Sequence, residues 1–277
     1  MNATGQDFEI ELHLLIEAIY QKYHYDFRQY AQASLKRRLT AALGRFDCRT
    51  LSQLQDKVLR EPHTFSLLID FLTIPVSEMF RDPPYFRSLR EHVVPLLRTY
   101  PSLKVWVAGC STGEEVYSLA ILLREEGLLK RTLIYATDIN PHSLQKAQAG
   151  VYEMERVAGF SENHRKSGAR SSLSDYYTAA YGRVVLDKSL RQHIVFSDHS
   201  LATDSAFAEV QLVSCRNVLI YFNRELQDRA IGLFREALCR KGFLGIGSKE
   251  SLRFTVHASA FDELVPQDRI FQKRDTP

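Results

Sequence analysis

Val105-Trp-Val-Ala-Gly-Cys-Ser-Thr-Gly-Glu-Glu115 reads as a buried strand, a glycine-bearing turn and the start of a helix. Val105 to Ala108 is an apolar run of strand length. Gly109 and Gly113 remove side chains where the backbone turns tightly or a ligand approaches. Ser111 or Thr112 is placed to cap a helix that opens at about Glu114. Val116, Leu119, Ala120 and Leu123 then follow at helical spacing. A second strand, Thr132-Leu-Ile-Tyr-Ala-Thr137, ends on Asp138. The whole predicts a βαβ unit with an acid at the tip of its second strand.

Nucleoside ligands use this arrangement. The crevice at the strand ends holds the ligand, and the acid accepts hydrogen bonds from ribose hydroxyls. The dinucleotide fingerprint G-x-G-x-x-G seats a pyrophosphate on the helix N-terminus. Here the run is Gly109-Cys-Ser-Thr-Gly113, one glycine short, and Glu114 and Glu115 put two negative charges in the first helical turn. Those carboxylates repel a pyrophosphate and favour a cation. S-adenosylmethionine, a phosphate-free nucleoside carrying a sulfonium, fits better. The competing reading is an α/β turn with no ligand.

The chain has 277 residues, enough for two domains or one large one. At 45% hydrophobic and 25% charged it has the composition of a soluble globular protein. No apolar run reaches the ~18 residues of a membrane span. The first residues carry Asp7, Glu9 and Glu11 in place of a basic, then apolar, signal segment. Cys48, Cys110, Cys215 and Cys239 are too scattered for a metal site, so free thiols in a cytoplasmic protein are expected. Residues 22–60 hold nine bases against three acids, which suits an acidic partner or a solvated helical surface.

Taken in order, residues 7–90 show only helical patterns. Phe8, Leu12, Leu15, Ile16 and Ile19 form one stripe; Leu35, Leu39, Ala42 and Phe46 form another, with Arg38 and Arg45 sharing a face beside it. Thr50 opens a third helix, His63 to Leu72 is a fourth, and Tyr85 to about Arg98 is a fifth. Between the last two lies Thr73-Ile-Pro-Val-Ser-Glu-Met-Phe-Arg-Asp-Pro-Pro84, an irregular stretch carrying Ser77 and Arg81. From Leu103 strands and helices alternate, the mark of a parallel sheet covered by helices. A helix runs from Pro141 to Gln148 and Gly150 ends it. Residues 151–192 interrupt with a polar stretch and a hairpin at Tyr181-Gly-Arg-Val-Val-Leu, an insertion of lid or partner-binding type. Strands resume at His193–Phe196, Val210–Ser214 and Gly242–Gly247, with a helix at Arg224–Leu238 and a last strand at Phe271.

Five motifs, in order and at family spacing, resemble the chemotaxis receptor glutamate O-methyltransferase family, CheR. They are Phe80-Arg-Asp, Trp106-Val-Ala-Gly-Cys-Ser-Thr-Gly-Glu-Glu, Ala136-Thr-Asp-Ile, Cys215-Arg-Asn-Val-Leu-Ile-Tyr-Phe and Gly247-Ser-Lys-Glu-Ser-Leu252. The resemblance covers about residues 7–275. It implies a Rossmann-like class I methyltransferase domain with a mostly parallel α/β sheet and a small inserted hairpin subdomain (85–277). A small all-helical N-terminal domain with its linker (1–84) precedes it. It implies transfer of a methyl group from S-adenosylmethionine to glutamate side chains on the cytoplasmic helices of chemoreceptors, in a bacterial signalling system, with S-adenosylhomocysteine as product.

Carried over by position, Ala108 and Glu114 line the methionine part of the cofactor, Gly109 belongs to the cofactor site, and Asp138 binds the ribose. Ser200 and Leu201 lie near the adenine, Ser77 and Arg81 close over from the linker, and Cys215 and Arg216 complete the site. Arg81, Arg216 and Tyr221 face the methyl transfer, while Arg38 and Arg45 lie on the basic helix that meets the receptor. The chemistry needs little more. A carboxylate is already anionic near pH 7, so alignment and desolvation matter more than a strong base. An arginine can hold one carboxylate oxygen while the other attacks.

Departures from the family pattern are Pro75 for asparagine and Ser77 for threonine in the linker, Ser200 for asparagine near the adenine, and Ala41-Ala42 for a second arginine pair. The glycine-rich hairpin loop that goes with binding a receptor's C-terminal pentapeptide is absent, so pentapeptide-independent action is expected. No metal, nucleic acid or membrane insertion is called for. Two other readings stay open: a methyltransferase acting on RNA or a small molecule, and a cofactor-binding sensor or scaffold with little turnover.

Overall fold

A computed structural model describes residues 5–73 and 77–275; Pro75 lies outside the described residues. The chain opens with four helices, α1 (Gly5–Tyr23), α2 (Gln32–Arg45), α3 (Leu51–Arg60) and α4 (Pro62–Thr73). Leu12, Leu15, Ile16 and Ile19 form the buried stripe of α1, and Leu35, Leu39 and Ala42 that of α2. Thr50 caps α3, its hydroxyl accepting from the Gln53 amide at 3.2 Å.

The helix expected from Tyr85 to Arg98 is divided. It comprises α5 (Pro83–Ser88), a π turn (Leu89–Val93) and α6 (Val94–Leu97). Pro95 has no N–H, and the turn before it widens so that the Val94 amide reaches back to the Leu89 carbonyl.

The central sheet holds β1 (Leu103–Ala108), β2 (Thr132–Asp138), β6 (Ile194–Asp198), β7 (Val210–Cys215), β8 (Leu238–Ile246), β9 (Phe261–Val265) and β10 (Ile270–Lys273), in the order β6-β2-β1-β7-β8-β10-β9. The first five of these strands are mutually parallel; β10 pairs antiparallel with β8 and with β9. Strand β8 starts four residues before its expected Gly242, and β9 has no counterpart in the sequence reading. Helices α7 (Glu114–Glu125), α8 (Pro141–Ala149) and α11 (Arg224–Ala237) cover the sheet. Asn140 caps α8, and Gly150, at φ +60°, ends it.

The alternation along β1 explains its unbroken apolar run. Trp106 and Ala108 join a core with the four N-terminal helices and α11, while Val105 and Val107 join a second core with α5 and α7. A strand covered on both faces needs apolar residues at every position.

The insertion forms its own small sheet from β3 (Val151–Glu153), β4 (Tyr177–Ala180) and β5 (Arg183–Leu186), in the order β3-β5-β4. The expected hairpin is β4–β5, turned through Tyr181 and Gly182, both at positive φ. Helix α9 (Val157–Lys166) lies between β3 and β4, and α10 (Lys188–Arg191) leads back to the large sheet.

A buried ionic cluster ties this insertion to the rest. Arg90 pairs with Glu125 and, at 3.0 Å, with Glu126; His164 of α9 reaches Glu125 at 3.2 Å, and Arg98 and Arg170 reach Glu126 at 2.8 and 3.0 Å. Burial works to raise the Glu125 pKa, but hydrogen bonds from His164 and Ser171 and the charge of Arg90 outweigh it and hold it at about 2. The group is depressed from 4.5, so its stabilisation is present above about pH 4.5 and lost as pH falls toward 2. We expect denaturant melts to show the midpoint falling across that window, with the slope flattened in Glu125→Gln. An unchanged slope in the variant assigns the acid sensitivity elsewhere.

Candidate active site

Parallel strands end together, and here their carboxyl ends surround a cavity. Gly109, Cys110 and Ser111 come from the end of β1, Asp138 and Ile139 from β2, and Arg216, Asn217 and Val218 from β7. Tyr30, Leu72 and Thr73 reach it from the helical part, and Ser77 and Arg81 from the linker.

The turn after β1 is held tightly. Gly109 has φ +72°, and a Cβ there would meet Val218 at 2.4 Å; Gly113 has φ +93°, with Ala147 at 2.9 Å. Both glycines are required by the turn and by close protein packing. Neither Ser111 nor Thr112 caps α7. Gly113 takes the cap position without a side-chain bond, because the Ser111 amide is turned to Asp138 at 2.7 Å and the Thr112 hydroxyl to Glu114 at 2.7 Å. Asp138 also accepts from the Asn140 amide at 2.9 Å. Burial pushes its carboxyl above the usual range, against the pull of the Asn140, Ser111 and Ile139 amides. The Ser111 hydroxyl is buried with no partner among the described residues.

The acidic pair at the start of α7 divides its work. Successive helical residues point about 100° apart, so only Glu115 joins the cavity wall. Glu115 accepts from Ser214 at 2.6 Å and from Arg216 at 3.1 Å. Glu114, expected to line the cofactor, is fully buried and pairs with Arg156 of the insertion at 2.8 Å. The other arm of Arg156 donates to the Ser77 carbonyl, so one side chain joins the insertion, α7 and the linker.

The linker is clasped from the far side. Arg216, 1% exposed, pairs with Asp82 at 2.7 Å and donates to the Arg81 carbonyl at 2.9 Å, over the Tyr85 ring at 4.2 Å. Its fork is therefore largely committed. Arg81 lines the cavity, and its side chain makes no hydrogen bond or ion pair among the described residues. The segment 216–222 is shaped from below by Glu250, a buried carboxylate that accepts from the amides of Asn217 at 3.1 Å, Ile220 at 3.3 Å and Gly247. That contact explains the Gly247-Ser-Lys-Glu motif: a Cβ at Gly247 would stand 2.8 Å from both the Asn217 amide and the Glu250 carboxylate.

Several expected residues sit differently. Arg38 and Arg45 do not share an exposed face: Arg45 is exposed, whereas Arg38 is 4% exposed, bonded to the Leu72 carbonyl and stacked 4.2 Å from the Tyr221 ring. Spacing sets where a Cβ points, not where a long side chain ends. Tyr221 and Leu201 line the cavity as expected. Ser200 lies on an adjoining hollow that shares Ile139 and His199 with the cavity. Ala108 and Cys215 are buried behind the wall. Asp82, Glu115, Arg156 and His199 were missed as site residues, although the first two stand inside the quoted motifs.

The chemistry of the wall suits S-adenosylmethionine. An acid and an unpartnered hydroxyl stand at the turn after β1, and Glu115 stands in the first turn of the helix where a phosphate would bind. Residues 75–265 match the SAM-binding domain of the CheR methyltransferases, and residues 10–73 match their all-alpha domain. The chain belongs to the CheR methyltransferase family. A Pseudomonas putida protein named Cher3 is 63% identical over 98% of this chain and 99% of its own. The chemotaxis protein methyltransferase of Listeria monocytogenes is 32% identical over 82% of this chain and 84% of its own. That of Vibrio parahaemolyticus is 30% identical over 82% of each. As a CheR methyltransferase this chain uses S-adenosylmethionine, and none of its described helices is long and apolar enough to cross a membrane.

Proposed function

We propose that this CheR protein methylates glutamate side chains on the cytoplasmic helices of chemoreceptors, in the cytoplasm and without a receptor pentapeptide. The observation that carries the reading is the meeting, in one cavity, of the Ser111–Asp138 nucleoside turn with Arg81, Arg216 and Tyr221. Asp138 and Ser111 would hold the ribose, Leu201 and His199 the adenine side, and Gly109, Ser77 and Arg81 the methionine part. S-adenosylmethionine, when bound, supplies an activated methyl group on a sulfonium.

Arg81 offers its uncommitted fork to a carboxylate in the cavity. Arg216 keeps the linker closed through Asp82, which excludes water from around the opposed charges. The Tyr221 hydroxyl donates to the incoming glutamate and fixes which oxygen faces the methyl group. The glutamate needs no base near pH 7, and the chain's own carboxylates are occupied: Glu115 with Arg216, Glu114 with Arg156.

Tritium-labelled S-adenosylmethionine and receptor-rich membranes test the function. Base-labile methanol release is expected; label in RNA, or cofactor binding with no transfer, overturns it. Tyr221→Phe keeps the ring that stacks on Arg38 and removes one hydrogen bond to a charged group. Transfer is expected to slow about tenfold with cofactor affinity, measured by calorimetry, within about twofold. Unchanged turnover removes the hydroxyl from the mechanism.

A further inference from the structure

One more loop adjoins the segment 216–222 that lines the cavity. Strand β8 runs parallel to β7, so residues 247–257 leave it at the edge where 216–222 leave β7. On this loop Phe254 is 74% exposed and Val256 72%, the most exposed large apolar side chains after Tyr181 among the described residues. Their backbone is nonetheless pinned. Arg224 donates to the Phe254 carbonyl at 3.0 Å, and the Val256 amide donates to Asp228 at 3.0 Å. Glu250 binds the start of the loop to the segment that carries Ile220 and Tyr221.

The charges around these knobs are uneven. Arg224, Lys249 and Arg253 are exposed bases. Of the neighbouring acids, Glu250 is buried and Asp228 is engaged, while Glu225 and Glu263 are exposed, Glu263 standing 3.9 Å from Arg253. Apolar side chains held in water inside a polar rim mark an interaction surface.

We propose that Phe254 and Val256, with Ile220 and the rim of Arg224, Lys249 and Arg253, dock the substrate itself: an amphipathic helix that carries the target glutamate among other acids. The apolar knobs take the apolar face of that helix, and the bases meet its carboxylates. Docking there lays a helix along the segment that carries Ile220 and Tyr221, which Glu250 ties to this loop. This inference rests on the receptor-glutamate reading above.

The test uses the full chain, receptor-rich membranes and the double variant Phe254→Ser, Val256→Ser. The KM for receptor is expected to rise at least about tenfold, with kcat at saturating receptor and cofactor affinity within about twofold. Arg253→Glu is expected to raise the same KM and weaken its salt dependence. A photo-crosslinker placed at 254 should capture the receptor's methylated helix. An unmoved KM overturns the patch, as does capture of lipid or a second copy of this chain. A melting temperature and cofactor affinity that fall together also overturn it, by showing a structural role. Absence of base-labile label with the unsubstituted chain overturns the receptor reading and the patch with it; label with an unmoved KM overturns the patch alone.

Discussion

Asp138→Ala is expected to weaken S-adenosylmethionine binding about 100-fold in calorimetry. The carboxylate would lose its bonds to the ribose, and each hydrogen bond to a charged group contributes about 1.5–3 kcal/mol. The substitution also strips the Ser111 and Asn140 amides of the acceptor they now share, at 2.7 and 2.9 Å. The turn after β1 would therefore loosen while its ligand contact disappears. Two readouts separate these losses. A modest fall in the melting temperature of the free protein reports the amides, and a larger fall in the cofactor-induced rise of that temperature reports the ribose contact. Affinity within twofold of the unsubstituted protein would show that the ribose binds elsewhere.

Arg216→Ala is expected to be the most damaging single change in the cavity. Arg216 is the shared cation of Asp82 and Glu115, at 2.7 and 3.1 Å, and it also holds the Arg81 carbonyl. Removal leaves Glu115, largely buried, without its cation, whereas Asp82, 41% exposed, stays solvated, so the cost should fall below the about 3–5 kcal/mol of a fully buried pair. The denaturant midpoint should drop accordingly, and turnover should fall by at least about 100-fold as the linker carrying Arg81 loses its clasp. Hydrogen exchange gives a direct reading: amides of residues 77–82 should lose protection. Arg216→Lys restores a charge but no planar fork, so it should recover part of the stability and little of the turnover. Normal protection of the linker in Arg216→Ala would place the clasp elsewhere.

Much of this architecture is legible in residue patterns. The apolar run at Val105–Ala108, the cap Thr50 and the stop at Gly150 each act on their own neighbours, so local chemistry suffices. Strand β9 escaped because Phe261–Val265 carries Asp262 and Glu263 mid-strand and lacks the apolar run that marks β6, an edge strand of the same length. The π turn before Pro95 escaped because a proline announces a disturbance without saying how the helix absorbs it.

The site divides along the same line. Gly109 and Asp138 are visible in the sequence because strand-end chemistry fixes which residue types can stand there, whereas Arg216 and Tyr221 are expected through the family resemblance. Which member of the Glu114-Glu115 pair enters the cavity is set by how α7 is turned against the sheet, and the partner of the buried one, Arg156, lies 42 residues from Glu114.

The stretch from Val105 to Glu115 by itself determines a strand, a turn and a helix with acids at its mouth, and with Asp138 it narrows the reading to a phosphate-free nucleoside site or a turn with no ligand. Short-range sterics and charge are enough for that. Tertiary structure alone decides that Arg38 lies buried under Tyr221, that Arg216 is spent on Asp82 and Glu115, and that Arg81 is left uncommitted. A long charged side chain ends wherever distant segments leave it a partner, and its own sequence neighbours do not specify that partner.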